Sequence, residues 1–260
     1  MPELKIGIHL PSLRQTFAKA LLTVAPWRVQ GVEIDARHDF RPAEMTRTAV
    51  RDIRRRLEDL HLRIAAVSFP TRHGYNVLQG LEQRTEATRQ AMRLAYQLGS
   101  PIVVNHVGRV PSDATDPAWQ LLVEVLTDLA HYGERAGALL AARTGTESPA
   151  DLQRLLQALP AGLIGVDLDP GELAMNGYSP LEAVERLGTH ILHVHARDGV
   201  RDPARGRGTE VELGQGEVDF PALLGALEER DYRGFFTLQR TAGTDPVLEI
   251  HRGVKFLRNL

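Results

Sequence analysis

Residues 138–149 read ALLAARTGTESP. A short, almost continuous apolar run ends at Arg143, and Ser148-Pro149 then opens a segment of helical period. A run of that kind suits a parallel strand buried on both faces. A serine followed by proline suits an N-cap and the first helical turn. Strand-to-helix junctions are where many α/β proteins keep their chemistry, and here an arginine stands at the tip.

The same unit recurs along the chain. KIGIHL (5–10), GVEID (31–35), RIAAVSF (63–69), PIVVNHV (101–107), ALLAAR (138–143), LIGVDLD (163–169), HILHVHA (190–196) and GFFTLQ (234–239) read as strands. Asp116-Pro117, Ser179-Pro180 and Asp245-Pro246 repeat the cap-and-proline signature. Behind these starts lie apolar stripes at helical spacing: Trp119, Leu122, Val123, Leu126 and Leu129; Leu152, Leu155, Leu156 and Leu159; Val247, Ile250, Val254 and Leu257. Their expected role is core packing. Eight strands alternating with eight helical segments, without a linker or a composition break, predict one (β/α)8 TIM barrel over residues 1–260. A doubly wound open sheet would want a glycine-rich fingerprint after the first strand, and HLPSLRQ has none.

Composition narrows the class of protein. The chain has 260 residues, 43% of them hydrophobic and 25% charged, enough for a large core. It has no cysteine, which excludes disulfides and thiolate metal sites. The formal charge of −2 argues against a nucleic-acid partner. The basic cluster RDIRRR (51–56) sits in a helical pattern with Glu58 and Asp59 just after it, so it reads as a solvated helix face. The start, MPELKIGIHLPS, lacks a basic segment followed by a long apolar core, and no apolar run approaches the length of a membrane span. A soluble cytoplasmic protein without a membrane partner is the expectation, with homo-oligomerisation left open.

In a TIM barrel the chemistry gathers at the C-terminal ends of the strands. Those ends carry His9, Glu33 with Asp35, Ser68, Asn105 with His106, Arg143, Asp167 with Asp169, His193 with His195, and Gln239 with Arg240. Alternate residues of a strand share a face, so Asp167 and Asp169, like His193 and His195, should stack in layers. Asp169 and His195, on neighbouring strand ends, would make half of a divalent metal site. Arg197, Arg201, Arg205 and Arg207 lie in HARDGVRDPARGRG (195–208), either as ligand contacts or as a solvated loop balanced by Asp198 and Asp202. Arg72 and His73, in FPTRHGY, could complete an anion pocket. Glu147 suits a helix start better than a metal, and Gly214 and Gly216 suit a turn.

Four segments carry a resemblance: LIGVDLDPGELAMNGY (163–178), HILHVHARDGVR (190–201), LGQGEVDF (213–220) and RGFFTLQR (233–240). They resemble the sugar phosphate isomerase/epimerase group of the xylose-isomerase-like barrels, and the likeness extends through essentially the whole chain. The resemblance implies one divalent metal held by a glutamate, an aspartate, a histidine and a second glutamate at the ends of strands five to eight. The two glutamates there also exchange protons beside the substrate carbonyl. Carried over, the aspartate is Asp169 and the histidine is His195. Arg143 and Gln239 stand where the glutamates would be. Arg201, six residues after His195, matches a substrate-contacting arginine of related epimerases, and His9 falls among the substrate-binding candidates.

That departure sets the functional expectation. Two Glu, one Asp and a neutral His sum to −3, whereas Arg143, Asp169, His195 and Gln239 sum to zero. A divalent ion would add uncompensated charge to a partly desolvated pocket. Arg143 is expected to pair with Asp169 in the metal's place. No cofactor is therefore expected, the alternative being a weakly held Mn, Mg or Zn ion. The first reading is an isomerase or epimerase-like enzyme, or a lyase, acting on a small sugar, sugar acid or sugar phosphate. His195, His106 or Glu33 would be its base, with Arg143 and Gln239 orienting the carbonyl. The second is a barrel that has lost catalysis and binds an anionic or sugar ligand or a protein partner. Metal-dependent nuclease chemistry, known on a related barrel, would need more clustered ligands and a basic surface.

Overall fold

The computed structural model describes residues 4–202 and 208–260. Eight parallel strands close on themselves in the order β1, β10, β7, β6, β5, β4, β3, β2. They are β1 (Lys5–His9), β2 (Gly31–Asp35), β3 (Arg63–Ser68), β4 (Ile102–Asn105), β5 (Leu139–Arg143), β6 (Ile164–Leu168), β7 (Ile191–Ala196) and β10 (Phe235–Leu238). Each matches one of the eight apolar runs, trimmed at the ends. Two short antiparallel strands, β8 (Asp198–Val200) and β9 (Thr209–Val211), form a ribbon outside the barrel. No apolar run announced them: they are three residues each and pair with each other.

Around the barrel lie α1 (Phe17–Val24), α2 (Arg47–Asp59), α3 (Leu81–Leu98), α4 (Pro117–Ala136), α5 (Pro149–Gln157), α6 (Pro170–Met175), α7 (Pro180–Leu187), α8 (Phe220–Glu229) and α9 (Pro246–Arg258). The anticipated caps form. Side chains of Asp116, Ser148, Ser179 and Asp245 accept from backbone N–H groups of the first turn. Asp169-Pro170 is a further instance, with Glu172 N donating to Asp169 Oδ1 at 2.8 Å. Most stripe residues are buried, with Val123 and Val247 only partly so. On α2 the arginines of the 51–56 cluster stay exposed, and Arg56 pairs with Asp52 at 2.8 Å. Among the described residues no helix is long and apolar enough to cross a membrane.

The main core lies between strands and helices and takes in Ile8, Val32, Leu140, Val166 and Leu238. A second, small cluster of Ala66, Val104 and Ala141 marks the barrel interior on the β3–β5 side. Opposite it, on β2, β6, β7 and β10, the buried residues are Glu33, Asp167, His193, His195 and Thr237. A barrel interior that is apolar on one side and ionic on the other is the first sign of a site.

Candidate active site at the mouth of the barrel

The deeper layer is built by alternation along β6 and β7. His193 Nδ1 donates to Asp167 Oδ1 at 2.8 Å, and His195 Nδ1 meets both Asp167 oxygens at 2.8 and 2.7 Å. An ionised carboxylate only accepts, so each ring carries a proton on Nδ1. His193 Nε2 meets Thr237 Oγ1 at 2.7 Å, and His195 Nε2 lies 2.9 Å from Glu33 Oε2. All five residues are wholly buried. Burial works against charge on His195, but Asp167 and then Glu33 outweigh it and raise the imidazole to about 9. Burial likewise works against charge on Glu33, and the neighbouring His195 brings that carboxyl down to about 2. Asp167 is held well below the usual carboxylate range, burial being overcome by His195 and His193.

The upper layer is built around Asp169. Its Oδ2 accepts from Arg143 Nη2 at 2.5 Å, Arg143 Nε at 3.1 Å and Arg197 Nη1 at 2.8 Å. Oδ1 caps α6. Arg143 Nη2 also donates to Gln239 Oε1. Against burial, Arg197 and then Arg143 hold Asp169 at about 2. Arg197 also reaches Glu172 at 2.8 Å and Glu210 at 3.2 Å, and so ties β9 to the barrel.

This geometry tests whether the four positions implied by the resemblance suit a divalent ion. They do not. Arginine offers no lone pair, its guanidinium lies between Asp169 and Gln239, and the Asp169 oxygens already have four donors. His195 turns its nitrogens to Asp167 and Glu33 rather than to Asp169. The expected pairing of Arg143 with Asp169 is present in the structure.

The other candidates spread out. His9 is buried beside His195, ring centroids 6.3 Å apart, with Nδ1 on Ser12 Oγ at 2.8 Å. Burial, more than any neighbouring charge, lowers it to about 4. His106 follows β4 with an exposed side chain, within reach of the Arg143 and Asp169 charges. Loss of surrounding water, then the charge of Arg143, lowers it to about 4. Arg72 and His73 are exposed on the loop after β3, with no recorded bond to the Arg143 cluster among the described residues. Asn105 pins that loop through Thr71 and Tyr75. Arg201 packs its guanidinium against Gly177 on the rim. Arg205 and Arg207 lie outside the described residues.

Asp198, one of the two acids offered as a balance for the loop, is buried and among the described residues accepts from the backbone N–H groups of Gly199, Gly214, Gly216 and Val218. Glu147 sits just before the Ser148 cap, buried and raised in pKa by that burial. Thr237 and Glu210 drew no notice in the sequence. Asp167 and His193 did through the D-x-D and H-x-H alternation, but their mutual bonding required the barrel to close.

A closed parallel barrel with an ionic cluster at the C-terminal strand ends defines a TIM-barrel protein with its candidate site at the mouth. A sequence model of the xylose isomerase-like TIM barrel matches residues 25–260, and the chain belongs to that family. The inosose dehydratase of Geobacillus kaustophilus is 28% identical over 151 residues, covering 52% of this chain and 48% of the relative. The chain thus spans about half the length of that curated relative. The inosose dehydratase of Bacillus thuringiensis is 24% identical over 227 residues, covering 75% of this chain and 74% of its own. Among solved structures, a xylose isomerase domain protein from Planctomyces limnophilus superimposes with a TM-score of 0.88 at 23% identity, covering 99% of this chain and 96% of its own.

Proposed function

We propose that this protein acts on a small polyhydroxy carbonyl compound, or its acid or phosphate, moving a proton on the carbon beside the carbonyl. Isomerisation, epimerisation and loss of water all share that step. The observation that carries the reading is Arg143, whose guanidinium stands between Asp169 and Gln239 at the mouth with its side chain 12% exposed. Nη1 has no recorded partner among the described residues and can donate to a substrate oxygen. In this reading the charge that develops on the carbonyl oxygen as the proton leaves is met by a fixed guanidinium. Asp169 and Gln239 hold that group in place, so it needs no reorganisation during the step.

Of the three candidate bases, His195 and Glu33 are locked together beneath the mouth, while His106 opens onto it. His106 is neutral at pH 7 and serves as the base. The names of the dehydratase relatives support the substrate class, since an inosose is a cyclic polyhydroxy ketone. The reading includes a cytoplasmic small-sugar protein without a nucleic-acid or membrane partner.

The test is a panel of ketoses, inososes and sugar keto acids offered to the wild type, Arg143→Ala and His106→Gln. Loss of an oxyanion donor should lower turnover in Arg143→Ala roughly 100-fold or more. Turnover unchanged in Arg143→Ala overturns the arginine-centred site. Gln239 cannot titrate and Asp169 is saturated, which favours a second reading as a binder without turnover. Saturable binding that Arg143→Ala abolishes, with no product formed, would select it.

A further inference from the structure

Below the arginine-centred mouth, Glu33 is wholly buried, and neither carboxylate oxygen makes a hydrogen bond among the described residues. His195 Nε2 stands 2.9 Å from Glu33 Oε2, an ion-pair contact whose direction is poor for a hydrogen bond. Both atoms therefore lack a well-aligned partner, and Glu33 Oε1 has none among the described residues. Unsatisfied polar atoms this deep call for an explanation, and an ion is among the ordinary ones.

The ligand atoms converge. One atom each from Glu33, His193 and His195 lies within 4.8 Å of the others. Asp167 takes the Nδ1 proton of both rings, so each can ligate only through Nε2. That carboxylate–histidine arrangement is the outer support that fixes histidine ligands on a metal. Tetrahedral ligands at roughly 2.0–2.1 Å from zinc lie about 3.3 Å apart. Glu33 Oε2 is 2.9 Å from His195 Nε2 and 3.8 Å from His193 Nε2, which brackets that spacing. Two carboxylates with two neutral imidazoles carry a charge of −2, the complement of a divalent cation. The four mouth positions, with Arg143 among them, offer no such balance.

We propose that Glu33, His193 and His195 form a buried site for a divalent transition metal of the zinc class, oriented by Asp167 and separate from the Arg143–Asp169 pair. Glu33 Oε1 or a water completes four-coordination. On binding, metal–nitrogen bonds form at both Nε2 atoms. The proton His195 holds toward Glu33 is released to solvent, and Thr237 Oγ1 gives up its contact with His193. The site does not rest on the proposed chemistry, because its occupancy is read without substrate.

The test uses the full chain, unfolded with chelator and refolded with or without Co(II), so that burial does not block entry. Visible absorption reports tetrahedral cobalt, and circular dichroism follows folding and melting. The wild type and Asp169→Asn should each take up one equivalent and melt higher with metal than without. His193→Gln and Glu33→Gln should bind at least tenfold more weakly, and either one that folds decides the matter. Absence of cobalt in the refolded wild type overturns the site. Uptake as tight as wild type in the folded His193→Gln or Glu33→Gln chain, or uptake that Asp169→Asn removes, also overturns it.

Discussion

Arg143 ends a buried strand with two of its guanidine nitrogens already engaged, and its partner Asp169 is shared with Arg197. Because Arg197 and the Glu172 N–H remain on Asp169, Arg143→Ala leaves that carboxylate only partly deprived. The expected loss is about 1–3 kcal/mol of stability, read from urea unfolding midpoints. Arg143→Lys should not restore it, since an ammonium cannot reproduce the fork that spans Asp169 and Gln239. His9 makes a prediction in pH. Its folded pKa of about 4 lies below its ordinary value near 6.5. The unfolded chain therefore binds more protons between those values, and stability falls as pH drops through that window. His9→Gln should flatten the fall in melting temperature between pH 6.5 and pH 4 relative to wild type. An equal fall in both proteins would show that His9 contributes nothing to acid sensitivity.

At the scale of elements, serine or aspartate before proline decided where helices begin. The bond from Asp151 N to Ser148 Oγ is 3.1 Å, and Ser148→Ala should cost about 1 kcal/mol in thermal or urea unfolding. The same signature stands at Asp169-Pro170, where the aspartate also has the makings of a ligand. It does both jobs, one oxygen for the α6 cap and the other for arginines. Helix α6 also presses on the chain after β7. A Cβ on Gly171 would stand 2.7 Å from the Arg197 carbonyl carbon and 2.8 Å from Asp198 N. Those neighbours are backbone and cannot swing aside, so Gly171→Ala should destabilise by about 1–3 kcal/mol. Gly225, inside α8, meets nothing within 4 Å. Gly225→Ala should instead stabilise by about 0.5–1 kcal/mol. The pair of melts tests the packing with one kind of substitution.

For the whole molecule, the question is where the barrel keeps its positive charge. The mouth carries it on Arg143 and Arg197, and the interior carries it on His195 between Glu33 and Asp167. Replacing both Arg143 and Gln239 with glutamate would change the mouth charge by −3 and remove the guanidinium between Asp169 and residue 239. The double variant is expected to gain a divalent ion that Asp169→Asn removes, measured by calorimetry with Mn(II). No gain would mean that a divalent ion at the mouth needs more than those two carboxylates. The fold was legible in the chain because near-continuous apolar strands and capped amphipathic helices are local patterns, and all eight barrel strands fell on predicted runs. The β8–β9 ribbon was not, since three-residue strands leave no period to read.

The sequence by itself determined the barrel, the strand ends that face its mouth, and the side chains that stand there, Arg143 and Gln239 among them. Those follow from hydrophobic period, helix caps and the side chain at each position. Only the tertiary structure decided which groups bond: Asp167 rather than Asp169 orients His195, Glu33 crosses the barrel to meet it, and Arg197 joins Arg143 on Asp169. Glu33 and His195 are far apart in the chain, and so are Arg143 and Gln239. Side chains so separated meet only when the sheet closes, and the partners each one meets then outweigh burial and set the charge it keeps.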